Sequence, residues 1–143
     1  MPKMIFVNLP VADLARSRAF YEALGATNEP KFTDATAACM MVSDAIGIML
    51  LTHAKFREFT PKAIPEARAT CQVLNALSVD SRADVDAVIE QAGRAGGRAD
   101  AAPPQDFGLM YSRSVEDPDG HVWEIMWMDS TAAEQGASAF VAA

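Results

Sequence analysis

Apolar residues at the start of the chain follow the spacing of a strand and then switch to that of a helix. Residues 4–11 are rich in β-branched and other apolar side chains and predict a strand. Pro10 near its end has no amide to donate, which places the strand at a sheet edge. Asp13 stands where its carboxylate can accept from the first amides of a helix. Leu14, Ser17, Phe20, Tyr21 and Leu24 then recur at intervals of three and four, and Gly25 closes the helix. Three short β-like stretches follow, residues 27–32, 35–42 and 46–53, with a turn at Ser43-Asp44 between the last two. The first half reads β-α-β-β-β.

The second half repeats that order. Residues 69–79 predict a strand, interrupted in polarity by Gln72 and Asn75, and Asp80-Ser81 supplies a cap. Val85, Val88, Ile89 and Ala92 form the stripe of a helix that stops over residues 93–97. Strands follow near residues 98–101, 108–115 and 121–128. Asp117-Pro118-Asp119-Gly120 between the last two is a strong turn signal, with proline presetting φ and glycine tolerating the positive φ that closes a hairpin. Leu9 and Val11 correspond to Leu77 and Val79 at a constant offset, 77 − 9 = 68 and 79 − 11 = 68. The halves therefore form one domain over residues 3–129, with one module at 3–55 and another at 69–129. A Pro-containing crossover at 59–68 joins them, and residues 130–143 form a small, Ala-rich tail that is either a short docked helix or frayed.

Composition narrows the function. The chain has 143 residues, half of them apolar, enough for one domain and too apolar for a disordered chain. With 12 basic against 19 acidic side chains the net charge is −7, which argues against nucleic acid as a partner. No apolar run approaches the roughly 20 residues of a membrane span, and the N-terminus lacks a signal-peptide pattern, so the expected location is cytoplasmic. Cys39 and Cys71 form no C-x-x-C pair and both read as buried free thiols. No nucleotide-binding loop, H-E-x-x-H or nucleophile-elbow pattern occurs. Gly93-Arg94-Ala95-Gly96-Gly97 ends a helix, whereas a phosphate cradle opens one.

Two stretches carry a family resemblance. Residues 6–21 contain Val11-x-Asp13-Leu14-x-x-Ser17-x-x-Phe20-Tyr21, and residues 117–125 read Asp-Pro-Asp-Gly-His-Val-Trp-Glu-Ile. In this order they resemble the vicinal oxygen chelate superfamily, which includes glyoxalase I, extradiol dioxygenases and bleomycin-resistance proteins. The resemblance implies an α+β fold of two tandem β-α-β-β-β modules, glyoxalase-like, whose mixed, curled sheets form a cleft. It also implies a homodimer, and in metal-dependent members one ligand on the first and one on the last strand of each module. Those four positions fall on Phe6, near Met49, on Leu74 and on Glu124. Three of them are apolar, whereas a divalent ion of the Zn²⁺ or Fe²⁺ type takes O and N donors.

The expected function is thus a small-molecule-binding protein of the glyoxalase/bleomycin-resistance type with a degenerate metal site and no resident cofactor. The alternative is a metal-dependent lyase, isomerase or dioxygenase on a small oxygenated substrate, using His53 with Glu124. Alternation in Trp123-Glu124-Ile125-Met126-Trp127 puts Glu124 and Met126 on one face. Glu124 is then either a cleft carboxylate able to act as a general acid/base or a carboxylate paired to a base such as Arg113. Phe6, Asn8, Met49, Leu74, Tyr111 and Met126 are the candidate cleft lining. His53 and His121 read mainly as surface or turn residues.

Overall fold

The computed structural model describes residues 2–140. The first module contains β1 (Ile5–Val11), α1 (Leu14–Leu24), β2 (Thr27–Glu29), β3 (Ala37–Met41), β4 (Ile46–Thr52) and α2 (His53–Arg57). The second contains β5 (Asn75–Ser78), α3 (Arg82–Arg94), β6 (Arg98–Ala99), β7 (Gln105–Asp106), β8 (Met110–Glu116) and β9 (Val122–Met128). A short α4 (Ser130–Gln135) and a 3-10 turn (Gly136–Phe140) follow.

Each module folds its strands into its own mixed sheet. One runs β1-β4-β3-β2 and the other β5-β9-β8-β6, with β7 also pairing to β8. In both, the first strand lies parallel to the last, β1 to β4 and β5 to β9, while the other neighbours are antiparallel. The two halves share this topology, and β1 and β5 are edge strands.

Strand alternation decides which face meets the helices. Leu9 and Val11 of β1, Ala38 and Met40 of β3, and Ile48 and Leu50 of β4 point into one core. Trp123 and Ile125 of β9 and Val115 of β8 join it from the other sheet, with Phe20, Tyr21 and Leu24 of α1 and Val85, Ile89 and Ala92 of α3 between them. Both helices therefore pack on the core faces of the sheets, and the opposite faces are turned away from them. The helix ends follow the sequence: Asp13 accepts from the Arg16 amide, Ser81 from the Asp84 amide, and Gly25 takes φ 113° at the end of α1.

A buried latch joins the modules. The Tyr21 hydroxyl donates to Asp117 Oδ2 at 2.7 Å, and Trp123 Nε1 donates to the Tyr21 oxygen at 2.9 Å. Asp117 Oδ1 also accepts from the amides of Asp119, Gly120 and His121. Asp119 reaches across to the Ala12 amide at 2.9 Å and the Ser17 hydroxyl at 3.4 Å, and His121 Nε2 meets the Pro10 carbonyl at 2.8 Å. The two stretches that carry the family resemblance are therefore hydrogen-bonded to each other. Burial pushes the Tyr21 phenol well above its ordinary value, reinforced by the adjacent Asp117, and burial raises the Asp117 carboxyl as well.

Several predicted boundaries shift for local reasons. The stretch predicted at 27–32 is a strand only to Glu29, because Pro30 opens a 3-10 turn whose Lys31 amide donates to the Glu29 carboxylate. His53 does not end β4 but begins α2, capped by the Thr52 hydroxyl. The strand predicted at 69–79 narrows to Asn75–Ser78. Upstream, Glu66 accepts from the amides of Arg68, Ala69 and Thr70, which curls the chain instead of extending it. β7 is an added element, and of the tail, residues 141–143 lie outside the described residues.

Tyr21→Phe leaves Asp117 and Trp123 each short of a buried partner and lowers stability by about 1–3 kcal/mol. Because the folded phenol stays protonated above its ordinary value of 10.0, the wild type loses stability as pH rises through the value at which the unfolded chain ionises. Thermal melts across the alkaline range should show a shallower loss for Tyr21→Phe.

Candidate functional site

On the first sheet, the face turned from the helices carries Phe6, Asn8 and Pro10 of β1, Gly47 and Met49 of β4, and Cys39 and Met41 of β3. Asn8 and Cys39 both pair in register with Met49, which makes that methionine the centre of the face. The Phe6 ring lies over Gly47: a Cβ there would stand 2.7 Å from the ring carbons and 3.1 Å from the Met41 sulfur. Glycine at 47 is what lets the ring rest on the strand. Asn8 is exposed, and its amide donates to the Phe6 carbonyl at 3.3 Å. Cys39 is buried, as expected, and burial raises its thiol pKa, whereas Cys71, expected to be buried, is exposed because the chain around it curls outside β5.

On the second sheet, the same face carries Val122, Glu124 and Met126 of β9. Glu124 lies between Ala76 of β5 and Ser114 of β8, and Met126 between Ser78 and Ser112. The Glu124 carboxylate is partly buried and makes no hydrogen bond or ion pair with the described residues. It is not paired to Arg113, which is spent elsewhere. Leu74 precedes β5 and is largely exposed.

Two hollows sit where the face meets the crossover. One, of about 220 Å³, is lined by Pro10, Phe56, Cys71, Asn75, His121 and Val122 among others, and so adjoins the face at Pro10 and Val122. A smaller one, of about 120 Å³, brings His53 beside Pro10, Ala12, Asp119 and His121. Glu124 lines neither, so the expected pairing of His53 with Glu124 has no shared cavity here.

Tyr111 departs from its expected place. It turns toward α3, where its hydroxyl donates to Asp86 Oδ1 at 2.7 Å and the Arg82 guanidinium stacks 4.4 Å from its ring centre. Arg113, two residues on, faces the same way and bonds Asp100, Asp86 and Glu90 at 2.8–3.2 Å. The charges of α3 thus claim this face of β8. Hydrogen bonds from Tyr111 and then Arg113 hold Asp86 below the usual carboxylate range, and Arg113 holds Asp100 down likewise. Arg82 also grips Asp106 of β7 through two bonds, at 3.1 and 2.6 Å, and draws that carboxyl down to about 2.

The comparisons with known proteins follow this geometry. The description "Glyoxalase/Bleomycin resistance protein/Dioxygenase superfamily" belongs to the family profile that matches residues 3–125. The chain belongs to that superfamily. Among solved structures it is similar to hypothetical protein SA1046 from S. aureus, with TM-score 0.73, 23% identity, and coverage of 89% of this chain and 95% of that one. A glyoxalase-related enzyme from Fulvimarina pelagi gives TM-score 0.69 and 25% identity over 89% of this chain and 88% of that one. Fosfomycin resistance protein FosX from Mesorhizobium loti gives 0.62 and 20% over 94% and 96%. No curated protein sequence matches significantly.

The divalent metal that the family implies does not fit the four positions it would use. Phe6 and Leu74 carry no donor atom, and Met49 offers a thioether, too soft for Zn²⁺ or Fe²⁺. Glu124 alone supplies a hard donor, and among the described residues no three His, Cys, Asp or Glu side chains come together as a metal cluster. Sequence reasoning missed Cys39 and Met41 as neighbours of Met49. Alternation along β3 was the signal, readable once its register with β4 is known.

Arg82→Ala should return the Asp106 carboxyl from about 2 toward its ordinary 3.8, as followed by side-chain carboxyl NMR in acid. In the wild type this contribution to stability is present above pH 3.8 and fades as pH falls through about 2. Both partners are exposed, so global stability should change little.

Proposed function

We propose that the protein binds a small, largely apolar molecule across the cleft, with Glu124 as the polar anchor. The observation that carries the reading is a carboxylate without a partner among the described residues, set on β9 beside Met126. Phe6, Met41 and Met49 give the facing wall a polarizable, adaptable surface, suited to several apolar shapes. One negative charge without an ion-pair partner among the described residues, flanked by Ser114 and Met126, favours a ligand with an ammonium or another hydrogen-bond donor. The reading is of binding, in line with other members named for drug resistance, and no bond-breaking step is assigned to Glu124. Cys39 and Cys71, both unpaired, suit the reducing cytoplasm.

A second copy of the chain is the proposed partner. β1 and β5 end their sheets without a further strand, and Ile5 and Leu74 beside them expose 58% and 59% of their surface, with Phe6 and Val73 similarly bare. Unpaired edges lined by apolar residues invite pairing. Sedimentation should find a dimer that Ile5→Lys dissociates; a monomeric wild type would refute this.

A thermal-shift panel of hydrophobic amines, each with a neutral isostere, tests the anchor. Glu124→Gln should weaken the amines about tenfold, roughly 1.4 kcal/mol, and leave the isosteres unchanged. Equal loss for both members of each pair, or no loss for either, would remove Glu124 from the site.

A further inference from the structure

Three sulfur-bearing side chains share the face of the first sheet that is turned from the helices. Cys39 Sγ stands 3.7 Å from Met41 Sδ. Met49 lies directly across from Cys39 in the β3–β4 register, and alternation turns all three side chains to the same face. Opposed residues in such a pair have Cβ atoms about 4.5–5.5 Å apart, well within a methionine's reach. Two sulfur donors each about 2.3 Å from one metal stand roughly 3.8–4.0 Å apart in tetrahedral or trigonal geometry. The Cys39–Met41 separation is already within a few tenths of an ångström of that edge.

The chemistry of the donors selects the ion. A thiolate with two thioethers is a soft set, matched to a monovalent d¹⁰ ion of the Cu(I) class and mismatched to divalent ions that take hard O and N ligands. One thiolate balances one positive charge beside Ala37 and Leu51, both buried, and the Glu29 carboxylate, opposite Cys39 in the β2–β3 register, adds further negative charge that favours a cation. The approach is graded as well, since Met41 and Met49 are partly exposed and lead to the buried Cys39.

We propose that Cys39, Met41 and Met49 form a binding site for a soft monovalent metal ion, Cu(I) or its analogue Ag(I). On binding, the Cys39 thiol gives its proton to solvent and the thiolate sulfur donates its electron pair to the metal; no electron is transferred. Met41 and Met49 also belong to the proposed ligand wall, but the anchor Glu124 is on the other sheet, so the Cu(I) titration and the Glu124→Gln panel can fail independently.

The test is an anaerobic titration of the whole chain with Cu(I) against a chromogenic Cu(I) chelator, repeated with Ag(I). One equivalent should bind, with Cys71→Ser unchanged and Cys39→Ser unable to compete with the chelator. Met41→Leu and Met49→Leu should each weaken binding about tenfold, the scale of one lost contact. These two substitutions nearly conserve volume, so they keep the fold and separate loss of a ligand from loss of structure. Absence of stoichiometric binding, binding that follows Cys71, or full affinity in both Met→Leu variants would overturn the site.

Discussion

The Tyr21–Asp117–Trp123 hydrogen-bonded group is the constraint on which the rest of the molecule depends. A carboxylate and a phenol withdrawn from water cost several kcal/mol unless their polar atoms are satisfied. Here each has partners: Asp117 takes three backbone amides and one hydroxyl, and Tyr21 both donates and accepts. Those partners come from both modules. The group therefore favours only the arrangement in which α1 lies beside the turn before β9, and that arrangement fixes how the two modules meet.

This bears on what the family resemblance means physically. Ser17, Tyr21, Asp117 and Asp119 look, as letters, like candidates for chemistry. In the structure they hold modules together, and Asp119 reaches only Ala12 and Ser17 across the joint. The positions at which the resemblance leads one to expect metal ligands hold Phe6, Leu74 and, nearby, Met49, together with Glu124. The stretches that carry the resemblance are spent on the joint between modules, so membership in the superfamily does not by itself assign a reaction.

Much of the architecture was legible because it is written locally. Asp13 and Ser81 cap the two long helices, Gly25 ends the first, and Asp117-Pro118-Asp119-Gly120 makes its turn where expected. What was not legible depends on partners distant in sequence. Nothing in the letters around Tyr111 says that Asp86 and Arg82 wait on α3, yet those groups decide which way β8 faces. The curl at residues 66–70 was hidden for a different reason: apolar and β-branched letters nearby suggest a strand, and a single glutamate collecting amides overrides them. In the site, Glu124 and Met126 followed from alternation alone, whereas the company of Met49 required the register between β3 and β4.

The latch also has a consequence in time. Tyr21 and its carboxylate are 96 residues apart in the chain, and Ser17 and Asp119 are 102 apart. A ribosome adding about 5–20 residues per second needs roughly 5 to 20 s to supply the second partner after the first. Through that interval α1 has its own sheet to pack on but not Trp123 or Asp117, so its buried face stays partly wet. The first module is thus an unfinished surface during synthesis, and the last turn of the second module is what finishes it.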